Sequence, residues 1–103
     1  MSFVVHVADA VLEASGDGTA AAVLHEAGGV ERGIWEIEPG TATDIEADEI
    51  FVVIEGRATI VIEDGPTLEV GPGDVCVFDK GARTTWHVHE RLRKVYQITG
   101  SGG

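Results

Sequence analysis

From Gly33 onward, apolar and polar residues alternate in short runs, and glycine, proline and aspartate break those runs at intervals of about ten residues. The pattern predicts strands over Gly33 to Ile37, Glu49 to Glu55, Arg57 to Glu63, Thr67 to Val70, Val75 to Phe78, Thr84 to His89 and Arg93 to Ile98. Ala58, Ile60 and Ile62 share one face of their strand while Arg57, Thr59 and Glu63 share the other, which is the pattern of a half-buried strand. Asp64-Gly65 lies between two such runs and predicts a hairpin, because both residue types tolerate positive φ. Short strands at this spacing predict an all-β sandwich or barrel.

Glu49 to Glu55 departs from alternation and is apolar on both faces, so something must cover its second face. Either the amino-terminal segment or a second subunit can do so, and a homodimer is the expectation, since a bare apolar face invites aggregation. Phe3 to Val7 reads as a further strand. Ala8 to Ala14 and Thr19 to Glu26 read as short helices or an irregular crossover, with Gly16, Gly18, Gly28 and Gly29 preventing any long element. Residues 1–32 therefore form a leading strand and crossover of the same domain, 33–98 the barrel, and 99–103 a glycine-rich flexible tail.

Composition narrows the partners. A chain of 103 residues suits one domain. Its 18 acidic and 7 basic residues leave a net charge of −11, a field that repels nucleic acid and anionic membrane. The single cysteine, Cys76, excludes an internal disulfide, no basic start with an apolar run marks a signal peptide, and no apolar stretch reaches bilayer length. A cytoplasmic location is expected. Phosphate loops, a Ser-His-Asp order, zinc-finger spacing and basic aromatic patches do not occur, which removes nucleotide hydrolysis, serine hydrolysis and nucleic-acid readout.

Glu49 is followed by Gly56, then by Gly73-Asp74 opening a strand that closes at Lys80-Gly81. With Gly33-Ile34-Trp35, Pro39-Gly40, Asp64-Gly65, Gly71-Pro72-Gly73, Phe78, Trp86 and Arg93-Lys94-Val95-Tyr96, this order resembles the small single-domain cupins related to the ureidoglycine aminohydrolase cupin domain. The resemblance covers about two thirds of the chain. It implies a cupin jelly-roll barrel, or double-stranded β-helix, of two antiparallel sheets with a pocket at one mouth. The characterised aminohydrolase is a two-domain manganese enzyme that releases ammonia from ureidoglycine. Metal-binding cupins carry a histidine pair shortly before the glutamate and another histidine after the second motif. Here those places hold Ala42, Thr43, Asp44 and Ile45, then Thr84.

One family ligand, Glu49, thus remains where several donors are needed. Glu49 and Asp44 are the candidate ligands for a divalent metal such as manganese, iron, nickel or zinc, and no cofactor at all is the leading expectation. Glu49 should point inward with Phe51 and Val53, where a carboxylate needs a partner. As a candidate catalytic residue it would be a metal ligand or general base; as a structural one it would sit in an ion pair. Leu92, Lys94, Tyr96 and Ile98 alternate onto one face of the last strand, so Lys94 is the first candidate partner, with Arg93 and Arg83 as the others. Trp86 shares the face of Thr84 and either plugs the pocket or stacks on a ligand, whereas Trp35 reads as core. His87 and His89 form a chelating pair by spacing, but lie in the opposite phase and should face outward. Cys76 reads as a small buried residue.

Two functions follow. In the first, a metal-poor cupin binds or senses a small polar molecule in a mouth lined by Glu49, Trp86, Thr84, Tyr96, Arg83, Lys94 and Asp44. The alternative is a divalent-metal aminohydrolase acting on a ureido or amino compound, with the metal on Glu49 and Asp44.

Overall fold

The computed structural model describes residues 2–100. A 3₁₀ turn at Val7–Asp9 precedes eight strands: β1 Glu13–Ala14, β2 Thr19–Ala27, β3 Val30–Ile37, β4 Gly40–Ile45, β5 Asp48–Ile62, β6 Thr67–Val70, β7 Val75–Phe78 and β8 Arg83–Thr99. All pairings are antiparallel. The two long strands, β5 and β8, pair with each other along nearly their whole length and serve both walls of the barrel. On one wall the first part of β8 carries β4 and the second part of β5 carries β6. On the other wall β3 adds to the second part of β8, extended by β2 and β1, and β7 adds to the first part of β5. The barrel is therefore two antiparallel layers joined by continuous strands.

The bend between the walls lies at Gly56, where the β5–β8 register shifts. Its φ of +90° is one that side chains other than glycine's rarely adopt, and a Cβ there would drive into the Arg91 and Leu92 backbone. What sequence periodicity presents as two strands, Glu49 to Glu55 and Arg57 to Glu63, is one strand bent at this glycine. The same holds for Thr84 to His89 and Arg93 to Ile98 within β8. The expected hairpin turn is present: Asp64 takes φ +58°, and the Gly65 amide donates to the Ile62 carbonyl. Between the walls, Ile37, Phe51, Val53, Ile60, Phe78, Trp86, Val88 and Leu92 form the core.

The amino-terminal expectations are corrected. Thr19–Ala27 is a strand rather than a helix or crossover, paired to β3 over its full length, because Trp35, Ile34 and their neighbours offer it an open sheet edge. Phe3 to Val7 is not a strand; Phe3 and Val4 are exposed. The segment is held instead by Arg93, whose Nη1 donates to the carbonyls of Val7 at 2.7 Å and Ala10 at 2.9 Å. β4 was hidden in the sequence, since Thr41 to Ile45 carries little apolar alternation. Of the expected tail, Thr99 closes β8, and residues 101–103 lie outside the described residues.

Candidate binding cavity

Antiparallel pairing sets Glu49 opposite Ile98, Phe51 opposite Tyr96 and Val53 opposite Lys94, all on the inward face. Lys94 therefore starts two inward positions from Glu49. Its chain runs back over the Phe51 ring, with Nζ 4.2 Å from the ring centroid, and ends 2.6 Å from Glu49 Oε2. Both side chains are only 6% exposed. Trp35 and Trp86 face the same ammonium at 4.6 and 5.1 Å. The cation is held by one carboxylate and three aromatic faces, an arrangement in which charge pairing and the ring quadrupoles act together.

A second buried carboxylate stands beside it. Glu46, in the turn between β4 and β5, is 7% exposed, and its Oε2 accepts from Thr84 Oγ1 at 2.7 Å and from Trp86 Nε1 at 3.1 Å. Burial pushes its carboxyl above the ordinary range, and these two hydrogen bonds oppose the shift. Tyr96 crosses over Gly33, where a Cβ would lie 2.5 Å from the tyrosine oxygen, and donates to Glu31 Oε2 at 2.7 Å. Burial and the adjoining Glu31 carboxylate hold its phenol well above the usual range. Between these groups a cavity of about 490 Å³ opens at the barrel mouth, walled by Trp35, Trp86 and Tyr96 and edged by Glu46, Glu49 and Asp44.

A family model for the EutQ-like cupin domain matches residues 24–96. The chain belongs to the EutQ-like cupin family. A solved protein of unknown function from Rhizobium leguminosarum bv. viciae is 28% identical, with a TM-score of 0.82 over 96% of this chain and 97% of its own. A DUF861 family protein from Thermotoga maritima is 33% identical over 63% of this chain and 75% of its own, with a TM-score of 0.60. The EutQ protein of Clostridium difficile is similar in fold, with 23% identity and a TM-score of 0.71 over 81% of this chain and 63% of its own. None of the curated proteins matches the chain in sequence. These relations support the cupin resemblance and give no specific link to ureidoglycine aminohydrolase.

Within this EutQ-like cupin, the expected pocket residues divide. Glu49, Lys94, Trp86, Tyr96 and Asp44 line the cavity. The hydroxyl of buried Thr84 reaches Glu46 instead of open space. Arg83 is not among the residues lining this cavity: it opens β8 one residue before Thr84, takes the opposite phase, lies 3.8 Å from Glu63 and borders an outer cleft with Asp44 and Thr84. Arg93 likewise points away from Glu49 and pairs with Glu36 at 2.9 Å. Trp35 is not plain core but a cavity wall, set edge-on to Trp86 at 5.6 Å. Trp86 packs on Phe51, Phe78 and Trp35 and is 4% exposed, so it both fills the core and closes the cavity floor. His87 and His89 face outward, bonded to Thr41 and Thr59. Cys76 is buried, and burial pushes its thiol up to about 11.

Sequence reasoning missed Glu46. Glu49 drew attention through the motif, whereas Glu46 sits in a turn whose direction depends on β4 being a strand. The only available signal was an acidic residue flanked by Ile45 and Ala47.

The donor set does not suit a divalent cation. Among the described residues no three histidine, cysteine, aspartate or glutamate side chains gather as ligands. Glu49 is engaged by an ammonium, and Asp44 spends Oδ1 on the Ile45 amide at 2.8 Å.

Proposed function

We propose that this EutQ-like cupin binds or senses a small polar molecule in the barrel mouth, without a resident divalent metal. One observation carries the reading: the Lys94 ammonium satisfies Glu49, the one family ligand that survives, while the cavity beside it stays open. Its volume of about 490 Å³ falls in the range of small-molecule sites, and its aromatic walls with a few converging polar groups have their usual composition. The test has two parts. Protein purified without chelator is offered manganese, iron, nickel and zinc, dialysed and assayed for bound metal, with less than about a tenth of an equivalent expected. Saturation-transfer NMR against a panel of small polar compounds should then find binders that Trp35→Ala loses. Near one metal per chain, lost in Glu49→Gln, would overturn the metal-free reading.

We also propose that the protein works as a homodimer in the cytoplasm. Ile50 and Val52 on β5 pair with Val77 and Val75 on β7, and these four residues with Val95 on β8 make an apolar outer face. Val75 and Val77 are 62% and 64% exposed. A second copy laid on the same face would cover both patches with one self-complementary contact. Light scattering at tens of micromolar should give twice the chain mass for the native protein and the chain mass for Val77→Asp; a native monomer would refute it. Among the described residues, no helix is long and apolar enough to cross a membrane.

A further inference from the structure

The cavity carries an unbalanced charge. Asp17, Glu31, Asp44, Glu46 and Glu49 line it, and among the described residues Lys94 is the one basic residue in its walls. Lys94 is matched by Glu49 at 2.6 Å, which leaves four carboxylates with no cation in the cavity. Three of them have local donors: Asp17 takes the Thr19 amide and hydroxyl, Asp44 the Ile45 amide, and Glu31 the Tyr96 hydroxyl.

Glu46 differs from these. It is more than nine-tenths buried, and both of its donors, Thr84 and Trp86, fall on Oε2. Oε1 takes no hydrogen bond from any described residue. No fully buried side-chain oxygen among them lacks a partner, so Oε1 is open, and the space that Glu46 borders is the cavity. A carboxylate oxygen open to the cavity, on a side chain otherwise withdrawn from water, has its strongest complement in a charged donor. Anions are disfavoured there, since the one ammonium is already neutralised. A bare metal ion is disfavoured too, because no three ligands converge. The walls add the remaining condition: Trp35 and Trp86 already hold the Lys94 ammonium over their faces, so these rings are placed to stabilise positive charge and to cover alkyl surface.

We propose that the cavity takes a small organic cation, a primary or secondary alkylammonium, whose nitrogen donates to Glu46 Oε1 and whose alkyl part lies against Trp35 and Trp86. This rests on the reading that the barrel mouth binds a small molecule, and it names the class. The recognition is electrostatic at the nitrogen and apolar along the chain. Glu46 keeps its Thr84 and Trp86 contacts on binding, so the site is preorganised.

Calorimetric titration of the full chain with butylammonium, butyrate and butyramide separates the possibilities, since the three share a shape and differ in charge. The expected result is saturable binding of butylammonium, with butyrate and butyramide weaker by about tenfold or more. Glu46→Gln should weaken butylammonium by a similar factor while keeping a cooperative melt, because the amide oxygen can still accept from Thr84 and Trp86. If that variant fails to fold, exposed Asp44→Asn should still weaken the cation and leave butyramide unchanged. Equal or tighter binding of butyrate or butyramide would overturn the cation class and leave the small-molecule reading standing. No binding of any of the three would overturn the cation class, and the NMR panel then decides the broader reading independently.

Discussion

The Lys94 ammonium ends 2.6 Å from the Glu49 carboxylate inside the barrel, though the two residues lie on different strands and two inward positions apart. Among the described residues, each is the other's only charged hydrogen-bond partner. Removing one leaves an uncompensated charge among aromatic rings, whereas removing both can be nearly neutral. Glu49→Leu and Lys94→Met should each lower unfolding free energy by about 3 kcal/mol, and the two combined should recover most of that loss. Urea denaturation of the set measures it. Strictly additive losses would show that the two residues are not coupled.

Glu46 predicts a pH dependence. Burial raises its carboxyl above the ordinary glutamate value of 4.5, so between that value and the raised one the folded state holds a proton that the unfolded chain has released. Its contribution is therefore most favourable at or below about pH 4.5 and is lost as pH rises through the raised folded value. The stability difference between native protein and Glu46→Gln should change across this interval and be flat well above it. A difference that is constant from pH 4 to pH 8 would contradict the placement.

Cys76 is 4% exposed and its thiol is pushed to about 11 by burial. At pH 8 the thiolate fraction is small and access needs opening of the barrel. Iodoacetamide labelling should be slow in buffer and rapid in denaturant, with a rate that tracks stability across the Glu49 and Lys94 variants. Prompt labelling of the folded protein would refute the burial.

Gly56 offers the clearest backbone test. Alanine there meets both the positive φ and the Arg91–Leu92 backbone, so Gly56→Ala should cost more than 2 kcal/mol or prevent folding. Gly73→Ala, at φ +87° with no atom near its missing Cβ, should cost about 1 kcal/mol. Comparable midpoints for the two variants in thermal melts would mean that the close crossing at Gly56 is not tight.

Tyr96 is the chain's one tyrosine. Burial and Glu31 hold its phenol up, so the tyrosinate absorbance should stay away on alkaline titration until the protein unfolds. A reversible titration near pH 10 in the folded state would place Tyr96 outside the site.

Much of the barrel was readable from local pattern. Period-2 alternation is a property of neighbouring residues, so it gave the inward phase of Ala58 and Ile60, of Glu49 with Phe51 and Val53, and of Lys94 with Leu92 and Tyr96. The Asp64 turn depends on local φ preference and was likewise legible. β2 was not, because an alanine-rich run such as Ala20-Ala21-Ala22 favours helix locally and becomes a strand when β3 supplies hydrogen-bond partners along its edge.

Residue types and spacing gave an all-β sandwich or barrel, the strongly negative charge and the short set of cations able to reach Glu49, and the family resemblance added the cupin barrel and the loss of its histidine ligands. They could not choose among Lys94, Arg93 and Arg83. That choice belongs to three-dimensional packing: Arg83 and Arg93 take the outward phase and pair with Glu63 and Glu36, whereas Lys94 takes the inward phase and runs over Phe51 to the carboxylate. Glu46 shows the same division. Its burial and its free oxygen exist because β4 pairs with β8 and turns the chain inward at that point, a contact between segments some forty residues apart that local pattern does not encode.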